Sequence, residues 1–265
     1  MPGCIFCRCE ECVTTLGVML ALLVGFVLGL LGGGGSVLTV PILIYVLHVP
    51  VKPAIAASLC VVGLVSLIGF LAHARQGTVS KRVAVIFGPF AVAAAYGGAR
   101  LSKLVPAKVQ LVVFALFGLA GSIMMFRGAR KMSGKTDSTE YHFTSDRRTI
   151  VLLALEGALV GLITGLIGVG GGFLIVPALV FVAKLPMRLA VGTSLLVITM
   201  NALAGFAGYV GHVAIDWTLI GWFTAVAAVG AIIGTLISKR VPQKRLKEVF
   251  AVMLIVVSLY VLYRR

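Results

Sequence analysis

Charged side chains are scarce in this chain of 265 residues, because only 12% of them are Asp, Glu, Lys or Arg. Acidic residues are scarcer still, with 8 Asp and Glu against 23 Lys and Arg. No soluble domain can hide an apolar content of 60% from water, so a globular enzyme or binding module is excluded. The apolar runs are long and do not alternate, which predicts helices rather than a β-barrel. We therefore expect an all-α, polytopic membrane protein that has the lipid bilayer as a partner.

Clusters of reactive side chains are also missing. The sequence contains no triad arrangement, no P-loop and no His-rich metal motif, so we expect no enzyme activity, no metal and no cofactor. The exception is an N-terminal C-x2-C-x-C-x2-C spacing, formed by Cys4, Cys7, Cys9 and Cys12. Zinc sites normally separate their cysteine pairs by more residues, so free, palmitoylated or disulfide-bonded thiols are the favoured interpretations.

The chain is an internal duplication. Apolar segments fall at about 13–31, 36–48, 53–74, 82–101 and 108–127, and again at 149–167, 172–184, 189–210, 218–237 and 244–263. The second set follows the first at a constant shift of 136 positions, so that Pro41 matches Pro177 and Phe114 matches Phe250. The predicted units are a Cys-rich tail (1–12), a first membrane repeat (13–127), a polar linker (128–148) and a second membrane repeat (149–265).

A glycine cluster opens the second segment of each repeat. The first copy runs from Gly32 to Pro41, and the second from Gly168 to Pro177. Glycines inside a membrane helix weaken it and free backbone N–H groups. A short helix that begins there directs unpaired N–H groups and its positive dipole end at the gap, where an anion is the natural occupant. Close helix packing through small residues is the alternative explanation.

The segment that follows each glycine cluster is short. Residues 36–48 would form about 20 Å of helix, whereas the hydrocarbon core is about 30 Å thick. The segment is therefore either a tilted span in a thinned bilayer or a re-entrant element. Paired short, glycine-interrupted segments in matching places of two repeats are typical of the substrate site of a transporter.

The basic residues lie between the apolar runs and not along one face, so they indicate membrane topology rather than nucleic-acid binding. If each repeat crosses the membrane an odd number of times, sixteen of the 23 Lys and Arg residues fall on the side of the linker. An even number of crossings would divide them almost equally. The bias therefore predicts two inverted five-segment repeats, a cytoplasmic linker and termini that face outward.

Inverted repeats would bring the two glycine clusters together near the membrane midplane. Polar residues of the long helices that follow would complete the site. The candidate binding residues are Gly33, Gly34, Gly35, Ser36, Ser58, Gly170, Gly171, Gly172, Thr193, Ser194 and Asn201. For each hydroxyl or amide, a hydrogen bond within or between helices is the alternative.

Glu156 is the one carboxylate deep in an apolar run. A carboxylate at such depth is costly, so it is a candidate for proton coupling. The alternative is that it pairs near the surface with Arg147 or Arg148.

The paired motifs resemble the sulfite exporter TauE/SafE family of membrane transporters. The resemblance rests on the 168–172 glycine cluster with Pro177, on 190–195 (Ala-Val-Gly-Thr-Ser-Leu), and on their weaker counterparts, 32–35 with Pro41 and 54–59. Ala56-Ala57 stands where the second repeat has Gly192-Thr193, so position 57 lacks a hydroxyl.

The resemblance implies a secondary transporter of small sulfur-containing anions such as sulfite, thiosulfate or organosulfonates, with export as the expected direction. An anion channel is the alternative function, because it would share a dipole-lined site. The expected location is the plasma membrane, and no sequence feature addresses the oligomeric state.

Overall fold

Helices account for 86% of the chain, and the part that the structure describes contains no strand. The computed structural model describes residues 6–102, 104–131, 147–167, 172–181, 183, 185–211, 213–238 and 240–263. The elements in chain order are α1 (Phe6–Leu31), α2 (Gly34–Pro41), a π-helical segment (Ile42–Val46), α3 (Val51–Ala74), α4 (Lys81–Leu101), α5 (Ala107–Lys131), α6 (Arg147–Ile167), α7 (Gly172–Phe181), α8 (Met187–Tyr209), α9 (Trp217–Ser238) and α10 (Gln243–Tyr263). The prediction of an all-helical protein is confirmed.

Five of the described helices are long and apolar enough to cross a membrane. These spans are Val51–Ala74, Lys81–Leu101, Ile150–Ile167, Met187–Tyr209 and Trp217–Ser238. Their outward faces carry bare apolar side chains, as Val85 (71% exposed), Leu155 and Leu236 show. Such faces are stable only against lipid. The chain is therefore an integral membrane protein.

Three helix ends differ from the predicted boundaries. Helix α1 begins at Phe6, so its backbone extends into the segment that we separated as a tail, because nothing between residues 6 and 16 breaks a helix. Cys4 lies outside the described residues. Likewise α5 continues to Lys131 and α6 begins at Arg147, which leaves a shorter connection than the predicted linker.

The segment after α1 runs back along α1. Gly35 packs against the backbone of Val24 and Leu28, and Leu47 packs against Gly17 near the middle of α1. Helix α3 then runs in the direction of α1, because His73 near its end lies beside Gly29 near the end of α1. The short segment thus returns the chain along about half of the length of α1. Proline has no N–H to donate, and a π-helical turn begins directly after Pro41.

Each repeat packs its helices against the other repeat. Helix α4 packs most extensively against α6, and α1 packs against α9 in the matching way. Glycines make this possible: a Cβ on Gly25 would overlap the carbonyl of Ala227, and one on Gly161 would overlap that of Ala91. Backbones that approach this closely gain dispersion contacts, which drive helix association where lipid removes the hydrophobic effect.

Helices α3 and α8, which are equivalent at the shift of 136 positions, run in opposite directions. Gly63 of α3 contacts Leu203 of α8, whereas Gly69 contacts Leu195, so residue numbers fall along α8 as they rise along α3. Four phenylalanines are among the largest fully buried side chains, and they form two pairs related by the shift of 136 positions: Phe87 with Phe223 and Phe114 with Phe250. The two repeats therefore use matching core positions.

Gly230→Leu should destabilise the protein, because a Cβ at Gly230 would overlap the carbonyl oxygen of Leu22 on α1. Overpacking of this kind costs about 1–3 kcal/mol. The matched control is Gly221→Leu on the same helix, where an added Cβ meets no atom within 4 Å. Thermal unfolding of both variants in detergent is the measurement. Equal unfolding temperatures would contradict the described packing of α1 on α9.

Candidate functional site

The first glycine cluster forms a sharp turn between α1 and α2. Gly32 has φ +71°, a left-handed conformation that glycine adopts without the steric cost of a Cβ. Its N–H still donates to the Leu28 carbonyl, 2.8 Å away, so α1 ends with its last hydrogen bond intact. Gly33 then caps α2 without any side-chain hydrogen bond to the helix N–H groups. The turn and the first residues of α2 are buried throughout.

The two glycine segments meet each other. A Cβ added to Gly33 would overlap the carbonyl group of Gly172, and one added to Gly172 would lie 2.5 Å from the Gly33 Cα. The first residues of α2 and α7 are therefore in direct backbone contact. We call this place, formed by Gly32, Gly33 and Gly172, the glycine junction. Gly170 and Gly171, which we also predicted as site residues, lie outside the described residues.

One face of α8 lines the glycine junction. The hydroxyl oxygen of Ser194 lies 2.9 Å from the Gly32 carbonyl oxygen and 2.8 Å from that of Val191, so its single proton serves one or both acceptors. Ile198 lies one turn further along α8, and its Cδ1 atom is so close to Gly172 that an added Cβ there would overlap it. Residues three or four apart share a helix face, so Asn201 continues this line.

Asn201 is fully buried, with 0% of its surface exposed. Within the described structure, neither its amide oxygen nor its amide nitrogen has a hydrogen-bond partner. Buried polar groups are nearly always paired, and an unpaired one costs about 1–3 kcal/mol. Asn201 lies seven residues after Ser194 on α8, and its amide is a group that a ligand on this helix face would satisfy.

The other predicted hydroxyls make local contacts. Ser36 donates to the Gly33 carbonyl at 2.6 Å, across the turn itself. Ser58 donates to Ile55 of its own helix at 2.8 Å, as its repeat partner Ser194 does to Val191. Thr193 accepts a hydrogen bond from the backbone N–H of Ser80 at 2.9 Å, which fixes the start of α4 to α8. Gly34 and Gly35 lie in the first turn of α2, where they pack against α1 and Met253.

Glu156 lies away from the glycine junction. It sits on α6 eleven residues before Ile167, which is about 16 Å along the helix. Its Oε2 atom is buried and has no partner among the described residues. The structure thus keeps Glu156 as an isolated carboxyl on α6 and does not bring it to the glycines.

Sequence reasoning missed a pair of polar contacts at the helix ends. The Nε2 atom of His73 lies 3.3 Å from the Gly29 carbonyl oxygen, and the Tyr209 hydroxyl donates to the Gly165 carbonyl at 3.1 Å. The two donors, His73 and Tyr209, are 136 positions apart, and so are the two acceptors, Gly29 and Gly165. That relation was available from the sequence, but His and Tyr are too dissimilar for the match to stand out.

Comparison with known proteins identifies the family. The description "Sulfite exporter TauE/SafE" matches residues 17–261, which is nearly the whole chain. The chain belongs to the sulfite exporter TauE/SafE family. The resemblance found in the glycine and Thr-Ser motifs is therefore confirmed. Proteins of this family are membrane transporters, and a transporter is not an enzyme.

Several similar proteins are described as probable membrane transporters, and the match covers most of their length. A probable membrane transporter protein of Xylella fastidiosa (strain 9a5c) is 36% identical over 246 residues, which cover 91% of this chain and 92% of the relative. The probable membrane transporter protein YdhB of Bacillus subtilis (strain 168) is 26% identical over 231 residues, covering 87% and 93%. One from Methanocaldococcus jannaschii is 27% identical over 266 residues, covering 92% and 94%. No solved structure matches this member of the family at a significant level.

Gly33→Ala should impair transport by this family member, because the added methyl group would separate the two backbones at the glycine junction. Displacing donors from a bound anion lowers its affinity by about tenfold for each hydrogen bond lost. The matched control is Gly97→Ala, where an added Cβ meets nothing within 4 Å. The measurement is anion flux into proteoliposomes at equal protein content. Normal flux in Gly33→Ala would show that the junction takes no part in transport.

Proposed function

We propose that this protein is a secondary transporter that carries a small sulfur-containing anion, such as sulfite, thiosulfate or an organosulfonate, through a site at the glycine junction. The family name supplies the substrate class, and export is the direction we expect from it. The anion binds between the first turns of α2 and α7 and the side chain of Asn201. Ser194 fixes the Gly32 carbonyl so that the turn stays open to the anion.

The observation that carries this proposal is the unpaired amide of Asn201. An Asn amide supplies two N–H donors and a carbonyl acceptor, and the donors suit an oxyanion. Burial from water strengthens each such hydrogen bond, because the local dielectric constant is low. The buried amide, which has no partner among the described residues, would gain one when the anion binds.

The helix ends add to the attraction. The first residues of α2 and α7 meet at Gly33 and Gly172, and each helix N-terminus carries a partial positive charge from its unpaired N–H groups. In our proposal both ends contribute N–H groups to the same anion. The binding of anions at helix N-termini needs no charged side chain, which fits a site whose described residues are glycine, Ser and Asn.

We further propose that the two halves are inverted repeats that give alternating access. The opposite directions of α3 and α8 support this relation, since a two-fold axis in the membrane plane reverses equivalent helices. The site then lies near that axis and can open to either side. With inverted repeats, the distribution of Lys and Arg supports a cytoplasmic linker. The plasma membrane is the location that we propose for the protein. A carrier is favoured over a channel because the relatives named above are described as transporters.

Asn201→Leu should abolish flux without loss of stability. Leucine removes both amide groups at nearly equal volume, and removing a buried unpaired amide is neutral or stabilising. The purified protein in liposomes is tested with sulfite, thiosulfate and a small sulfonate, with and without a pH gradient. We expect saturable flux of at least one anion in the wild type and a loss of about tenfold or more in the variant.

The matched control for this variant is Thr199→Val. Thr199 lies two positions earlier on α8, is equally buried, and donates its hydroxyl to Leu195 of its own helix at 2.8 Å. Its flux should stay near the wild-type value. Flux that rises without saturation would favour a channel, and the absence of flux for every anion would refute the proposed substrate class.

Glu156→Gln should remove the dependence of transport on a pH gradient if Glu156 carries the coupled proton. The amide keeps the shape of the carboxyl group but cannot exchange a proton. Initial rates of uptake at several imposed gradients are the measurement. A variant that still responds to the gradient would make Glu156 a structural residue and leave the anion site unaffected.

A further inference from the structure

A cavity of about 240 Å³ lies where the end of α3, the start of α8 and the end of α9 meet. It is lined by His73, Gln76, Thr78, Arg188 and Ser238. We propose that this cavity, which we call the Arg188 cavity, is a second binding site for the transported oxyanion at the mouth of the protein. The inference rests on the proposed function and names a site beyond the glycine junction.

The chemistry of the lining suits an anion. Arg188 brings a guanidinium group with a fan of N–H donors that matches the oxygens of an oxyanion. Thr78, Ser238 and Gln76 add hydroxyl and amide groups that donate hydrogen bonds. None of the described lining residues is acidic, so a cation has no carboxylate to bind. The cavity is formed by packed side chains and is not an open surface, because His73 and Ser238, which line it, are only 3% and 6% exposed.

His73 can adjust the charge of the cavity without moving. Its Nε2 atom must carry hydrogen, because the Gly29 carbonyl 3.3 Å away can only accept. Its Nδ1 atom lies 3.0 Å from the Thr78 hydroxyl oxygen, which is also 3.0 Å from the His73 carbonyl oxygen. When the hydroxyl donates to Nδ1, the ring is neutral. When the hydroxyl donates to the carbonyl, Nδ1 can donate to the hydroxyl oxygen, and the ring is then a cation.

Among the described residues that line the cavity, Arg188 is the charged neighbour of this second proton. Helix α1 presents to the ring the Gly29 carbonyl, which also accepts from Thr235 of α9, and α9 adds Ser238 to the cavity wall. An anion bound between Arg188 and His73 would stabilise the cationic ring. Acidification should therefore strengthen binding in the cavity.

The Arg188 cavity adjoins the glycine junction. Arg188 precedes Ser194 by six residues on α8, which is about 9 Å along the helix. Gly192, between them, packs against the carbonyl of Thr78, and a Cβ there would overlap its oxygen. Gly29, which contacts His73, lies one turn before Gly32. An anion released from the junction towards this end therefore passes the cavity next.

The other end of the protein provides a built-in comparison. At the shift of 136 positions, Lys52 is the equivalent of Arg188, and Tyr209 is the equivalent of His73. Tyr209 makes the matching contact to Gly165 but cannot become a cation. We therefore expect anion binding to depend on pH at the end of the protein that carries the Arg188 cavity, and not at the end that carries Lys52 and Tyr209.

The test compares Arg188→Gln, His73→Gln and the control Lys52→Gln in membrane vesicles of both orientations. Thiosulfate is the probe, because its charge does not change between about pH 8 and about pH 6, where histidine titrates. We expect Arg188→Gln to raise the half-saturating concentration about tenfold at the Arg188 face, with little change in maximal rate. His73→Gln should flatten the pH dependence at that face. Arg188→Lys keeps the charge and should recover part of the affinity.

The outcomes separate the two proposals. If Arg188→Gln changes nothing, or changes both faces equally, the cavity is not a binding site and the junction proposal stands. If the wild type transports none of the tested anions, the proposed function fails, and equilibrium binding of labelled thiosulfate to the full chain decides for the cavity. Binding that is lost in Arg188→Gln and kept in Lys52→Gln supports it, and an absence of wild-type binding overturns it.

Discussion

Every backbone polar group inside a bilayer needs a partner, and the structure depends on how the chain meets this requirement at Gly32 and Gly33. A helix broken at that depth exposes N–H and carbonyl groups that lipid cannot satisfy. Here the break is enclosed by protein, and its carbonyls receive the hydroxyls of Ser194 and Ser36. Among the described residues near the turn, the start of α2 has no side-chain cap, and the amide of Asn201 on α8 has no hydrogen-bond partner. These are the groups that the proposed site assigns to a ligand.

Glycine supplies a second function, which is contact between the repeats. Gly25 and Gly230 join α1 to α9, while Gly161 joins α6 to α4, and each brings one backbone against another. In a membrane such contacts replace the hydrophobic core of a soluble protein. The same residue type thus holds the two repeats together and opens the break at Gly32. Neither role can be assigned to a particular glycine from composition alone.

Hydropathy and the duplication predicted most of the fold. Long apolar runs can satisfy their backbone hydrogen bonds in a bilayer by forming helices, so the helices could be predicted directly. The constant shift of 136 positions also relates buried core residues such as Phe87 and Phe223. The residues of the candidate site were harder to predict from the sequence. Ser36 was expected to begin a half-helix, but α2 begins at Gly34, because nothing in the local sequence distinguishes adjacent glycines. The contact of His73 with Gly29 could not be predicted from the sequence, because it spans 44 positions and arises only from tertiary packing.

The crossed pairing of helices has a consequence for the origin of the fold. Helix α1 lies against α9, and α4 against α6, so neither repeat encloses its own glycine faces. A single repeat would leave those faces open to lipid. If the repeats are inverted as proposed, a single repeat would become complete only beside a second copy in the opposite orientation. On that proposal, an ancestor with one repeat would have been an antiparallel homodimer made from one gene product in two membrane orientations. Fusion of the two copies would have let each half acquire its own residues, such as His73 in one and Tyr209 in the other.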